Sequence, residues 1–458
     1  EVFDQEGEER THCKMMRSTT TIISLFALAL LHAQGPLSIS LQQAMDLAAK
    51  QSYMVQGSAL EAEKSVQRSR EITAVGLPQI NGSAQLQNFL DVPTQLIPNF
   101  FSPPGQGPEF IPAQFGVPWS MNAGLTLNQL IFDGSYLVGL KAAKELRVQG
   151  QQAYEKAQVD ARNQAAKAYF GVLAAEEGAR LVGESIPLLE KSITEVTATF
   201  NAGFLEQTDV DRISIQLEQA RAQQRSFSQQ ADVARMLLAL ALGVPQGTPI
   251  TLTDGLQGIL EDPTETSLSE QELTTTSHIE MQQANTILGL SVLENKNDKV
   301  KALPSLGGFF QHQQVWNGPK FDPGGQYRFY PTTLWGLQLN VPIFSSGSRY
   351  HKAAQTKLAI EQAKINQTAT EQRLITVAEQ NRSQARTAMD NLRTEERNMD
   401  LSKKILDRTT LKFNTGSATS FEYTQEQGNY LMSQQLYIQR MVELLMARAD
   451  LRKALDLY

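Results

Sequence analysis

Catalysis and tight binding need particular side chains at particular spacings, and few stand so in this chain. It has no glycine-rich phosphate loop, no G-x-S-x-G, no H-E-x-x-H and no cysteine cluster. His278, His312 and His351 are scattered, which suits surface or seam positions rather than a base or a metal ligand. Cys13 is the only cysteine, so an internal disulfide framework and a Cys-based zinc site are both excluded. No catalytic, cofactor or metal site is expected. Two acids do share a spacing: Asp209 and Glu422 each stand six positions after a glycine, Gly203 and Gly416.

Those glycines end the motifs Phe200-Asn-Ala-Gly203 and Phe413-Asn-Thr-Gly416, and the motifs belong to a duplication. Residues 125–132 and 337–344 share L-x-L-N-x-x-I-F, 212 positions apart. Leu77-Pro78 returns as Leu303-Pro304, and Phe132-Asp-Gly-Ser as Phe344-Ser-Ser-Gly-Ser. We divide the chain into a leader region (1–33), a first repeat (34–245), a bridge (246–270) and a second repeat (271–458). Each repeat places two strand-like runs among long helical stretches.

Residues 41–75 carry apolar positions at helical spacing and predict one helix. In 77–90, Ile80, Gly82, Ala84 and Leu86 alternate with Gln79, Asn81, Ser83, Gln85 and Gln87, the pattern of a strand with one apolar and one polar face. Residues 91–120 hold seven prolines and predict a long exposed loop without a ladder. Residues 121–132 form the returning strand, setting Leu125 and Leu127 against Thr126 and Asn128. Helix is predicted over 135–200, kinked or divided at Pro187, and again over 207–242 with Thr208 as a cap. The bridge, 243–270 in this pattern, reads as irregular. A helix over 278–300 follows, then strands near 303–317 and 333–344, the latter with Trp335, Leu337, Leu339, Val341 and Ile343 on one face. Residues 348–415 run 68 positions without a Gly or Pro, a helix of roughly 100 Å at 1.5 Å per residue. The last helix covers 421–458.

The formal charge of −7 and the lack of a basic run argue against nucleic acid as a partner. Aromatics are 7% of the chain, whereas Ala and Gln abound, a composition for slender helix seams rather than a thick core. Residues 16–34 read as a secretory leader, with Arg17 ahead of an apolar run too short to span a membrane and a processing site near Leu31-His32-Ala33. Met15 or Met16 is the expected start, and without the five acids and three bases of residues 1–33 the charge falls to about −5.

Strands of about twelve residues, apolar on one face and rich in Asn, Gln and Gly on the other, can cross an outer membrane when tilted. Hydrocarbon offers no partner to an open sheet edge, and four strands cannot close a usable barrel. The chain must therefore oligomerise; three copies give twelve strands. The helices carry too many charges for lipid and should extend away from it.

In this plan the chain resembles the TolC family of bacterial outer-membrane efflux proteins from about residue 37 to its end. The likeness rests on the duplicated plan, the L-x-L-N-x-x-I-F strands and the two turns at 200–210 and 413–423. It implies an α+β membrane protein, a homotrimer whose twelve-stranded β-barrel in outer-membrane lipid continues into a twelve-helix periplasmic α-barrel. It implies no enzyme but a passive exit duct, served by a periplasmic adaptor (membrane fusion) protein and an inner-membrane pump. By the same resemblance, Gly203, Phe204, Leu205, Gly416, Ser417 and Ala418 belong to tips where the adaptor docks, and Glu422, Gln425 and Asp209 to the entrance. Glu422 matches one acid of the family's constriction, and three copies would form a carboxylate ring that attracts cations. The family's second acid, three residues on, is here Gln425. Asn128 and Asn340 are expected to line the barrel lumen. A type I protein-secretion channel of the same fold is the alternative duct. A secreted coiled-coil scaffold or adhesin is the reading from another class, and it requires Trp335, Leu337 and Leu339 to be buried against helices.

Overall fold

The computed structural model describes residues 37–101, 103, 107–260 and 268–458, so the leader expected at 1–33 lies outside the described residues. In chain order they form β1 (Leu37–Ile39), α1 (Leu41–Gln51), α2 (Tyr53–Ala74), β2 (Gln79–Asn88), β3 (Thr94–Pro98), β4 (Phe110–Gln114) and β5 (Trp119–Phe132). Then come α3 (Gly134–Asn201), α4 (Gln207–Leu242), β6 (Ile250–Leu252), α5 (Leu256–Leu260), a 3-10 turn at Leu268–Glu270 and α6 (Ile279–Val300). Strands β7 (Ser305–Gly318) and β8 (Tyr330–Asn340) precede α7 (Ser348–Asn414) and α8 (Ser420–Ala454). The chain divides into two compact units, one of Leu60–Ala153 and Met281–Thr370, the other of the rest.

The first unit is built on an antiparallel sheet in the order β2-β5-β7-β8. Register assigns its faces. Ile80 lies opposite Leu127, Leu127 opposite Phe310, and Phe310 opposite Trp335, so one face is apolar across all four strands. Gln79, Asn128, Gln311, Gln313, Gln338 and Asn340 share the other. No described residue covers the apolar face near its free edge: Trp335 is 76% exposed, Leu337 64% and Leu339 63%. Burial of these residues against helices of the same chain, which would count against a channel, is therefore not seen. Trp316 is the exception, fully buried, its indole N–H donating to the Tyr327 carbonyl at 3.1 Å. Strands β2 and β8 are edges with no ladder partner on their outer sides among the described residues.

Residues 91–120, expected to be a loop without a ladder, contain one. Within that stretch β3 and β4 pair as a hairpin, with Leu96 opposite Pro112 and Pro98 opposite Phe110. Each strand of a two-stranded ribbon is an edge, so a proline whose missing N–H would face outward costs no ladder bond. The last strand is also shorter than expected, ending at Asn340, and Val341 and Ile343 lie beyond it, with Pro342 between them unable to donate.

The second unit is helical and held by small residues. Ala44, Ala48, Ala161, Ala165 and Ala166 pack with Tyr169, Leu238, Leu242, Met441, Leu444 and Leu445. Alanine lets helix axes approach closely, which is how a chain poor in aromatics fills its seams. The expected single helix over 41–75 is in fact two, because Ser52 adopts ψ 146 as the cap of α1. Its hydroxyl accepts the Val55 amide at 3.4 Å, starting α2. The bridge is not wholly irregular either. β6 pairs in parallel with β1, Leu37 opposite Ile250, and the Tyr169 hydroxyl donates to the Ile39 carbonyl at 3.2 Å. Pro187 does not divide α3. Leu181, Val182 and Leu189 lie on both sides of it in one buried cluster, packing that offsets the cost of an interior proline.

Candidate functional site

The sequence points to two turns, and the local chemistry explains why each forms. Helix α3 ends with the Gly203 amide donating to the Phe200 carbonyl at 2.8 Å and the Phe204 amide to Thr199 at 3.1 Å. Helix α7 ends in the same way, Gly416 to Phe413 at 3.0 Å and Ser417 to Lys412 at 2.8 Å. Both are Schellman endings, which place the glycine in the left-handed region. Gly203 has φ 80° and Gly416 φ 72°, and a Cβ on either would meet nothing within 4 Å. These glycines are required by backbone conformation, not by crowding.

The helices that follow start with matched acids. Thr419 caps α8: its hydroxyl accepts the Glu422 amide at 3.2 Å, and Glu422 Oε2 accepts the Thr419 amide at 2.8 Å. The Thr419 amide, and then its hydroxyl, hold the Glu422 carboxyl below the usual carboxylate range. On α4 the cap position is Glu206, not the expected Thr208. Asp209 Oδ2 accepts the Glu206 amide at 3.1 Å, while the Thr208 hydroxyl points back to Glu206 Oε2 at 3.3 Å.

The structure brings the two turns together. The buried Ser420 hydroxyl donates to Asp209 Oδ1, joining the start of α8 to the start of α4. The Arg212 guanidinium lies over the Phe421 ring at 5.4 Å. Tyr423 stacks on Phe413 at 5.1 Å and shares a hydrogen bond of 2.7 Å with Ser192, while burial raises its hydroxyl above the usual range. A groove of about 1150 Å³ runs between the turns, lined by Phe204, Leu205, Arg212, Thr415, Ala418 and Phe421 among others.

The named residues divide into two kinds. Gly203, Phe204, Gly416 and Ser417 are exposed, Phe204 at 80%, while Leu205 and Ala418 are half-buried. Glu422 and Gln425 face solvent, and Gln425 donates to the Asn429 side chain at 3.3 Å. Asp209 is half-buried and engaged by Ser420, so it differs from Glu422 despite the shared spacing. Sequence reasoning missed Ser420, Tyr423 and Arg212, whose partners are distant in the chain. It also missed the capping of Glu422, although Thr419-Ser-Phe-Glu422 is the capping-box signature. Asn128 and Asn340 lie on the polar face of the sheet, opposite Gln79 and Ser305 respectively.

No described helix is long and apolar enough to cross a membrane. The sheet, by contrast, carries an exposed apolar face at Ile80, Trp335, Leu337 and Leu339, on strands long enough to cross when tilted.

A family model described as outer membrane efflux protein matches residues 115–244 and 316–456. No curated protein sequence matches the chain. Among solved structures, CusC is similar with a TM-score of 0.69 at 13% identity, covering 93% of this chain and 95% of its own. The Vibrio cholerae outer membrane protein VceC is similar at 0.66 and 13% identity, over 91% and 95%. The Campylobacter jejuni outer membrane channel CmeC is similar at 0.64 and 16% identity, over 91% and 85%.

Proposed function

The chain belongs to the outer membrane efflux protein family, and from that premise we propose that it is the exit duct of a tripartite efflux system. It is an outer-membrane channel with a helical periplasmic extension, and not an enzyme. In our reading three copies assemble, their sheets forming one barrel of about twelve strands with the Gln- and Asn-rich face inward. The observation that carries this is a sheet with two open edges and an exposed apolar face, while no described helix is long and apolar enough to cross a membrane.

The repeats 34–245 and 271–458, joined by 246–270, then act as two units of one wall. Asn128 and Asn340 line the lumen. The turns at 200–210 and 413–423 form the periplasmic tips. There the exposed Gly203, Phe204, Gly416 and Ser417, with Leu205 and Ala418, meet a periplasmic adaptor that couples the duct to an inner-membrane pump. Glu422, free on its outer side and held ionised by Thr419, supplies a ring of charge at the entrance, with Gln425 beside it and Asp209 bracing the turn. A carboxylate ring favours cations by simple attraction.

The test is conductance of detergent-extracted protein in a planar bilayer, with its mass measured in the same preparation. Cation-preferring steps from a species of three chains are expected. A detergent-independent species without steps would overturn the proposal.

A further inference from the structure

Positive charge is confined to one place on the sheet. Residues 75–133 and 302–348 hold its four strands and their connections, and their only Lys or Arg residues are Lys320 and Arg328. Both stand in the loop between β7 and β8, both are exposed, and neither makes an ion pair among the described residues. The loop between β2 and β5 carries Asp91 and Glu109 and no base.

The cationic loop is fastened over the apolar face of the sheet. Trp316 lies opposite Met121 and Trp119 opposite Gly318, which places both indoles on the face of Leu127 and Phe310. The Phe321 ring packs 5.3 Å from Trp119 and 6.1 Å from Trp316, and the Tyr327 carbonyl accepts the Trp316 N–H at 3.1 Å. Lys320 and Arg328 therefore each adjoin a residue fixed over that face. Gly318 permits the fit, since a Cβ there would come within 2.8 Å of the Trp316 ring and 3.1 Å of the Lys320 carbonyl oxygen. A loop so fastened turns away from the polar face and does not cover it.

Its height follows from strand geometry. The ten-residue step from Leu306 to Trp316 on β7 is about 34 Å long at about 3.4 Å per residue, or about 26 Å high at a tilt of about 40°. A membrane barrel's apolar band is about 25 Å tall, with aromatic girdles at both interfaces. Trp119, Trp316, Phe321 and Tyr327 thus stand at the headgroup level remote from the helices. We propose that this loop binds an anionic lipid of the outer leaflet, Lys320 and Arg328 meeting its phosphate while its chains lie on Phe321 and the apolar face. Two cations without an acid partner complement a phosphate, and the lipid chains continue the surface that the indoles begin.

This inference rests on the lipid-facing sheet proposed above, and the experiment separates the two. The chain has three tryptophans, so Trp335→Phe leaves only the two beneath the loop. The full chain is reconstituted in phosphatidylcholine bilayers with brominated phosphatidate or brominated phosphatidylcholine at equal mole fraction, and indole quenching is read. Phosphatidate should be preferred at least tenfold. Lys320→Gln and Arg328→Gln should each lower that preference about fivefold, the effect of one basic side chain at an anionic surface, and Lys320→Arg should keep it. Equal quenching by the two lipids overturns the site, as does a preference that survives Lys320→Gln with Arg328→Gln. Loss of the preference in millimolar inorganic phosphate at constant ionic strength would mean a site for the free ion, and overturns the lipid. Brominated phosphatidylcholine should also quench Trp335, read as the difference between the unaltered chain and Trp335→Phe. A quenched Trp335 without phosphatidate preference removes the site and leaves the lipid-facing sheet standing. An unquenched Trp335 removes both.

Discussion

At the residue scale, Glu422 has two tasks that one substitution can separate. Its carboxylate completes the Thr419 capping box, and its charge faces solvent. Glutamine suits the third helical position as well as glutamate does, so Glu422→Gln removes the charge and keeps the cap. We expect Glu422→Gln to reduce cation preference and divalent block severalfold in single-channel recordings, with an unchanged melting curve. Glu422→Ala should do both kinds of harm. The folded carboxyl sits below its ordinary value of 4.5, so more than half of it is ionised at that pH. The loss of wild-type selectivity with falling pH should accordingly have its midpoint below 4.5. An unchanged reversal potential in Glu422→Gln would remove Glu422 from the entrance. The place of the turns at Gly203 and Gly416 was legible because the Phe-Asn-x-Gly motif occurs twice. The Ser420–Asp209 bond was not, since nothing in either local sequence reports a partner more than 200 positions away.

At the scale of elements, an ion cluster fastens three helices. Glu280 at the start of α6 meets Lys156 of α3 and Arg373 of α7. Burial alone would raise its carboxyl, but the bonds from Arg373 and Lys156 overcome that and bring it down to about 2. A carboxyl depressed in the folded state adds stability above its unfolded value, and that stability is lost as pH falls through the folded one. Arg373 is half-exposed and screened, so Glu280→Gln should cost about 1–2 kcal/mol at pH 7 rather than the whole shift. Denaturant titrations of variant and wild type should converge between pH 4.5 and about 2. Equal stabilities at pH 7 would mean the cluster contributes nothing. Long elements were legible from their period, α7 above all. The three-residue β1 and β6 were not, being too short for any period. The ladder in 91–120 was missed because proline excludes only strands whose N–H is needed, and a lone hairpin has outer sides to spare.

At the scale of the whole molecule, the duplicated plan and the two faces of each strand were readable before any coordinates. Which strand neighbours which was not, because pairing between repeats depends on their arrangement in space. The face assignment makes opposite predictions for adjacent residues. Leu337→Arg places charge on the apolar side and should cost up to about 2–4 kcal/mol in lipid, whereas Gln338→Arg should be tolerated and alter conductance. Urea unfolding in lipid bilayers distinguishes them, and equal tolerance would contradict the lipid-facing assignment. The first hairpin pairs Ile80 with Leu127 and Gly82 with Leu125, and the second pairs their repeat counterparts, Leu306 with Leu339 and Gly308 with Leu337. The two turns have not kept that likeness: Asp209 of the first is clasped by Ser420, whereas Glu422 of the second stands in water. In the proposed trimer, free charge at those tips would then recur three times around the axis and not six.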